Sequence, residues 1–168
     1  EMERRGMIVD LAHASPAAFA ETLAIATRPV VVSHGGVKAT CNTTRNLSDD
    51  QLRALAVNGG VIGIGYWDAA VCKATPAATA AAIKHVRDLV GIQYVGLGSD
   101  FDGGTTTGFD TAELRIAVTG TNDAAARRRV QRRRNRGGDG RQRHPRRACW
   151  MVAEAANKRT GILTKDAK

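Results

Sequence analysis

Met7-Ile8-Val9-Asp10-Leu11-Ala12-His13-Ala14-Ser15-Pro16 is the stretch whose reading decides the fold. Met7 to Leu11, dominated by large apolar side chains, predicts a buried strand. His13 follows just past it, and Ser15-Pro16 then opens an Ala-rich helix running to about Ala26. Serine suits the N-cap because its oxygen accepts an otherwise orphaned backbone N–H. Proline suits the first helical position because its missing N–H would have had no partner there. Strand, polar residue and capped helix in this order make a βα unit.

The same grammar recurs three times in different residues. Val30-Val31-Val32-Ser33 reads as a second strand with His34 just beyond it. Val61-Ile62-Gly63-Ile64-Gly65 reads as a third, followed by Tyr66-Trp67-Asp68, and Tyr94-Val95-Gly96-Leu97-Gly98 as a fourth, followed by Asp100 and Asp102. Between them, Ser48-Asp49-Asp50-Gln51 fits a capping box, and Leu52, Leu55 and Ala56 form a stripe that ends at Asn58-Gly59-Gly60. Thr75-Pro76 opens a further helix carrying Ala82, Ile83, Val86, Leu89 and Val90 and closing at Gly91. Continuously apolar strands that alternate with amphipathic helices predict a parallel sheet covered by helices. The polar residues fall at the C-terminal strand ends, where parallel barrels build their active sites. The expected fold is therefore α/β, a partial (β/α)8 TIM-type barrel of about four βα units, because a complete barrel takes about 250 residues.

Composition bounds the reading from outside. The 168 residues, 43% of them apolar, suffice for one globular domain and exclude a disulfide-dependent miniprotein or a wholly disordered chain. The formal charge of +9 is not spread over the chain: residues 127–147 hold eleven Arg and one Asp, a net of +10, and leave the other 147 residues at −1. That run has no aromatic residue to stack on bases, so it reads as a solvated basic tail in preference to a nucleic-acid site. Three cysteines, Cys41, Cys72 and Cys149, form no CxxC pair; neither a disulfide framework nor a zinc knuckle is expected, and a reducing, cytoplasmic setting is favoured. No stretch approaches the roughly 20 apolar residues that cross a bilayer. Glu1-Met2-Glu3-Arg4-Arg5-Gly6 reads as the last turn of a helix and not as a secretory leader.

Two His and two Asp on one rim make a candidate metal site, since imidazole and carboxylate are the ligands of a catalytic zinc. A lone His at a strand end is more often a hydrogen-bonding residue than a ligand. Two at successive strand ends bring the readings level, because barrel sites gather ligands from several strands. Asp100-Phe101-Asp102-Gly103-Gly104 also reads as a turn in which each Asp caps backbone amides. His85, beside Lys84 and Asp88, and His144, in the Arg run, both read as solvated.

Taken in order, Gly6-Met7-Ile8-Val9-Asp10-Leu11-Ala12-His13-Ala14-Ser15, Pro29-Val30-Val31-Val32-Ser33-His34, Arg45-Asn46, Asn58-Gly59-Gly60-Val61-Ile62-Gly63 and Gly96-Leu97-Gly98-Ser99-Asp100-Phe101-Asp102-Gly103 resemble the membrane (renal) dipeptidase family of zinc metallopeptidases, over residues 1 to about 114. The resemblance implies a binuclear zinc hydrolase on a (β/α)8 barrel that cleaves small dipeptides, often with a D-residue at the C-terminal position. It makes His13 and His34 ligands of one zinc, Arg45 the partner of the substrate carboxylate, and Asp100 the carboxylate that moves a proton to the leaving amine. Asp102 and Gly103 are expected to shape the substrate site, and Asp10 to support the strand end at His13. A homodimer is an expectation for the intact enzyme.

The departures are equally specific. The family's first half carries a His-x-Asp pair, a Glu that bridges both metals and a His that contacts the substrate carbonyl, and none can be placed here. Two imidazoles without the bridging carboxylate are expected to hold zinc weakly, so this polypeptide alone is not expected to be a competent dipeptidase. Another metal-dependent TIM-barrel amidohydrolase is a competing reading that lacks the ordered match of Arg45-Asn46 and the Asp100–Gly103 loop. A nucleic-acid-binding module acting through the Arg run is the other; its binding would weaken steeply with salt and vanish on deletion of residues 127–147.

The resemblance stops near Glu113-Leu114, shortly before the Arg run. Back-translated with permitted codons and read one base later, the following segment can spell Leu-Leu-Arg-Asp-Ala-Gly-Phe-Ser-Asp-Ala-Ala-Ile-Ala-Ala-Val-Met-Gly-Gly-Asn-Ala-Ile-Arg-Val, which the family predicts there. The hypothesis is a frameshift between about Leu114 and Thr119; coding DNA whose shifted frame lacks those codons would end it. Residues 115–168 are thus expected to be an aberrant basic tail, mostly disordered because like charges are dense and apolar residues few.

Overall fold

The computed structural model describes residues 1–105, 107–109 and 113–114. The tail expected to be disordered, with its Arg run, His144 and Cys149, lies outside the described residues. Three strands, β1 (Val31–Gly35), β2 (Val61–Ile64) and β3 (Val95–Leu97), form a parallel sheet in the order β1-β2-β3. Val32 pairs with Ile62, and Ile64 with Leu97. Among the described residues, the α-helices α1 (Pro16–Ile25), α2 (Asp49–Asn58), α3 (Asp68–Val71) and α4 (Pro76–Val90) complete a mixed α/β fold.

The helices start where local chemistry places them. Ser15 Oγ accepts from Ala18 N at 3.2 Å and Thr75 Oγ1 from Ala78 N at 3.2 Å. At α2 the capping box is reciprocal: Ser48 Oγ accepts from Gln51 N at 3.3 Å while Gln51 Oε1 accepts from Ser48 N at 3.0 Å. Gly59 then ends α2 in the left-handed region, at φ 84°. The core joins Val32, Ile62 and Ile64 of the sheet to Phe19 of α1, Leu52 and Leu55 of α2, and Ala82 and Val86 of α4.

Four expectations are corrected. Met7–Leu11 is not a regular strand but lies beside β1 through one parallel bridge, Asp10 to Val31. Val9 O accepts from Val31 N at 2.9 Å and Val31 O from Leu11 N at 2.8 Å, and there the ladder stops. On one side Met7 N is taken by Met2 O at 3.0 Å; on the other, Ser33 N donates to Asp10 Oδ1 at 3.0 Å. Helix α3, four residues long, begins at Asp68, ahead of the Thr75-Pro76 start at which the next helix was expected. Cys41 and Cys72 form a disulfide, with Cα atoms 5.3 Å apart, against the expectation of none, and the cysteine argument for a reducing compartment goes with it. His85 is not simply solvated: its Nε2 lies 2.8 Å from Asp49 Oδ1 and ties α4 to the start of α2.

Candidate active site

The candidate residues stand on four separate segments that meet at the C-terminal ends of the strands. His13 sits in the bend after Leu11, with its backbone in the left-handed region at φ 65°. Asp10 shapes that bend, for the same Oδ1 that takes Ser33 N also accepts from Ala12 N at 2.9 Å. His34 is the fourth residue of β1, and Asp100 follows β3 with φ 50°. Among the described residues, the non-glycine positions with left-handed backbone are His13, Cys72 and Asp100. Such backbone is unfavourable for side-chain-bearing residues and persists where the surroundings over-determine it.

These segments bring four side chains into one cluster. His13 Nε2 and His34 Nε2 lie 3.0 Å apart, Arg45 Nη2 donates toward His13 Nε2 at 3.3 Å, and Asp100 Oδ2 is 3.6 Å from His34 Nε2. Ser33 Oγ lies 2.9 Å from His34 Nδ1 and so fixes the ring from behind. Burial, with Arg45 and His13 nearby, holds the His34 imidazole below its ordinary value against the opposing pull of Asp100. Burial likewise lowers the Arg45 guanidinium, while Asp100 and Asp10 act in the other direction.

The Asp100 turn does not follow the capping reading. Asp100 precedes a 3-10 turn, Phe101–Gly103, without a side-chain cap bond, so its carboxylate is left to face His34. A Cβ on Gly103 would come within 2.5 Å of Asp100 Oδ1, so the glycine keeps open the space the carboxylate occupies. Phe101 anchors the turn against the buried Tyr66, ring centroids 6.0 Å apart. Burial also pushes the Tyr66 phenol far above its ordinary value. Asp102 is exposed and is not brought into the cluster.

Arg45 rides on a loop that is stitched to the segment around α3. Asn46, buried, donates from Nδ2 to Cys41 O at 2.7 Å and Ala70 O at 2.8 Å; Thr43 Oγ1 donates to Ala69 O at 2.9 Å; and the Cys41–Cys72 disulfide closes the same junction. Trp67, which the reading of residues gave no role, lies in the cluster. Its ring centroid is 5.6 Å from Arg45 Cζ and 5.9 Å from that of His34. The available signal was its position past the third strand, equivalent to those of His34 and Asp100.

The donor set fits part of a zinc site. Two nitrogens on one tetrahedral zinc lie about 3.3 Å apart, given ligand distances near 2.0–2.1 Å, and the Nε2 pair at 3.0 Å is close to that. Burial disfavours the charged form of the His34 imidazole, the direction that suits a metal ligand. Among the described residues, no set of three or more His, Cys, Asp and Glu side chains is disposed to hold an ion. A groove along α4, lined by Ala77, Ala81, Lys84, Arg87 and others, shares no residue with this cluster.

The family model for membrane dipeptidase (peptidase family M19) matches residues 1–114. A curated relative, dipeptidase aclJ of Aspergillus oryzae (strain ATCC 42149 / RIB 40), is 42% identical over 108 residues, covering 61% of this chain and 26% of that protein. A solved amidohydrolase from Pseudomonas aeruginosa is 30% identical with a TM-score of 0.57, covering 62% of this chain and 33% of that one. A metallo peptidase from Rhodobacter sphaeroides, solved with a phosphinate mimic of the dipeptide L-Ala-D-Ala, shares the fold at a TM-score of 0.61 and 21% identity, covering 92% of this chain and 44% of that one. The chain thus spans about a quarter of the curated relative and less than half of either solved chain.

Proposed function

The chain belongs to the membrane dipeptidase family of peptidases, and from that premise we propose that residues 1–114 are part of a zinc-dependent dipeptidase built on a (β/α)8 barrel. Its substrates are small dipeptides, cleaved at their peptide bond. The observation that carries the reading is the convergence of His13, His34, Arg45 and Asp100 from four segments within 3.0–3.6 Å contacts.

Each residue has a task that suits its chemistry. His13 and His34 would hold one zinc through Nε2, the imidazole of His34 being oriented by Ser33. Zinc, when bound, supplies a Lewis acid that polarises the scissile carbonyl and acidifies water. Arg45 receives the substrate carboxylate on its planar fork and so sets which bond faces the rim. Asp100, with an oxygen 3.6 Å from His34 Nε2, is the carboxylate placed to take a proton from an attacking water and give it to the leaving amine. Gly103 preserves the room for that carboxylate. Asp102, exposed on the same turn, borders the substrate.

Two imidazoles alone hold zinc weakly, so the purified chain is expected to bind zinc loosely and not to turn over L-Ala-D-Ala. Zinc titration followed by the His13 and His34 ring signals in NMR, with a hydrolysis assay alongside, checks this. Tight binding of two ions with turnover would overturn the expectation of incompetence; zinc that leaves both rings unperturbed would overturn the zinc reading.

A further inference from the structure

We infer that Trp67 is a positioning residue of this site: its indole face holds the Arg45 guanidinium at the rim, so that Arg45 meets a substrate carboxylate already oriented. The inference rests on the dipeptidase reading for the identity of the substrate, and on the following geometry for the pairing. Arg45 Cζ stands over the Trp67 ring, 5.6 Å from its centroid, inside the range in which a guanidinium is attracted to an aromatic face. That ring also neighbours His34, tilted by 56° at 5.9 Å, so one indole lies beside both the proposed carboxylate receptor and a proposed zinc ligand.

The backbone is arranged to put the indole there. Gly65 carries no side chain, and a Cβ at that position would fall 2.2 Å from Trp67 Cζ3 and 2.5 Å from Cη2. The ring therefore folds back over the end of β2 through space that only glycine leaves open. Trp67 occupies the N-cap of α3 yet makes no side-chain cap bond, a place where Ser, Thr, Asp or Asn would ordinarily serve the helix better. The side chain there is not serving the helix; it serves the rim. The spacing between Trp67 and Arg45 is held by the Thr43, Asn46 and Cys41–Cys72 ties between their two segments. A guanidinium on a flexible stem gains most from such a surface, because the planar fork binds carboxylate bidentately only in a defined plane.

The experiment uses the 168-residue chain with zinc and L-Ala-D-Ala as the probe. In the unmodified protein, NOEs between the Arg45 side chain and the indole protons of Trp67 are expected, with the Arg45 Nε–H signal displaced by the ring current. Trp67→Leu is expected to remove that displacement and weaken the dipeptide about 2- to 5-fold, the size of a cation–π contact at a partly exposed site. Trp67→Phe restores part of both, and zinc affinity stays unchanged. In an Arg45→Ala background, Trp67→Leu has no further effect on the dipeptide, which a merely structural role would not produce. Absent NOEs, or equal weakening by Trp67→Leu with and without Arg45, would overturn the inference. Should Trp67→Leu not fold, the NOEs and the Trp67→Phe variant decide it. If the NOEs are present but no dipeptide binds, the pairing stands and the carboxylate-receiving role of Arg45 in this chain falls, while family membership, which rests on residues 1–114 as a whole, is untouched.

Discussion

Gly103 and Asp100 illustrate how much of the site depends on single atoms. A methyl group at residue 103 would meet the Asp100 carboxylate, which is the mobile end of a short side chain, so the carboxylate must move and the backbone need not. Gly103→Ala is therefore expected to change stability by no more than about 0.5 kcal/mol in urea denaturation, while the Asp100 carboxyl signal in 13C NMR shifts clearly. A large loss of stability with an unmoved carboxyl signal would contradict this. At this scale the convergence of His13, His34 and Asp100 was legible from their places just past apolar segments, and Arg45 from the ordered motif that carries the family resemblance. Trp67 was not, because its meaning comes from the ring lying over Gly65 and beneath Arg45, and aromatic residues near strand ends usually report packing.

At the scale of elements, α1, α2 and α4 were legible almost to the residue because caps are local, whereas α3, which has no side-chain cap bond, was not. The capping box at Ser48 closes two hydrogen bonds within three residues, and Ser48→Ala is expected to cost about 1 kcal/mol of stability in chemical denaturation. No measurable change would mean that tertiary contacts alone hold the start of α2. The first predicted strand was misread for a reason that is only partly local, since one of the groups that end its ladder lies 23 residues away. The Asp10 side chain takes the Ser33 N–H that a longer ladder would need, and Met2 O takes the N–H of Met7. The N-terminal turn Glu3–Arg5 has its own pH dependence. The Glu3 carboxylate accepts from the Thr27 hydroxyl at 2.8 Å and from the amides of Arg28 and Thr27 at 3.0 Å, and these bonds hold it below the usual carboxylate range. An acid depressed in the folded state contributes stability above its unfolded value and loses it as pH falls through the folded one. Amide protection at Thr27 and Arg28 is therefore expected to fade on acidification and to be reduced at neutral pH by Glu3→Gln. Protection that follows neither change would contradict the assignment.

For the whole molecule, the Cys41–Cys72 disulfide joins two loops 31 residues apart that converge on the site. Closing a loop of that size is worth about 3–4 kcal/mol in the chain-entropy account, and reductant is expected to lower stability by that amount in denaturation. Cys41 and Cys72 should resist alkylation until reductant is added; labelling of both without it would contradict the bond. The amino-acid sequence by itself determined the boundaries of α1, α2 and α4, the alternation of apolar segments that makes the sheet parallel, and the residue types at the strand ends. These are written in hydrogen bonds and side-chain periods that span a few residues. Only the tertiary structure decided that Cys41 meets Cys72, that His85 reaches Asp49, that Asp10 ends a ladder and that Trp67 lies against Arg45. Each of these contacts joins segments distant in the chain, and their distances exist only once the sheet and its helices have packed.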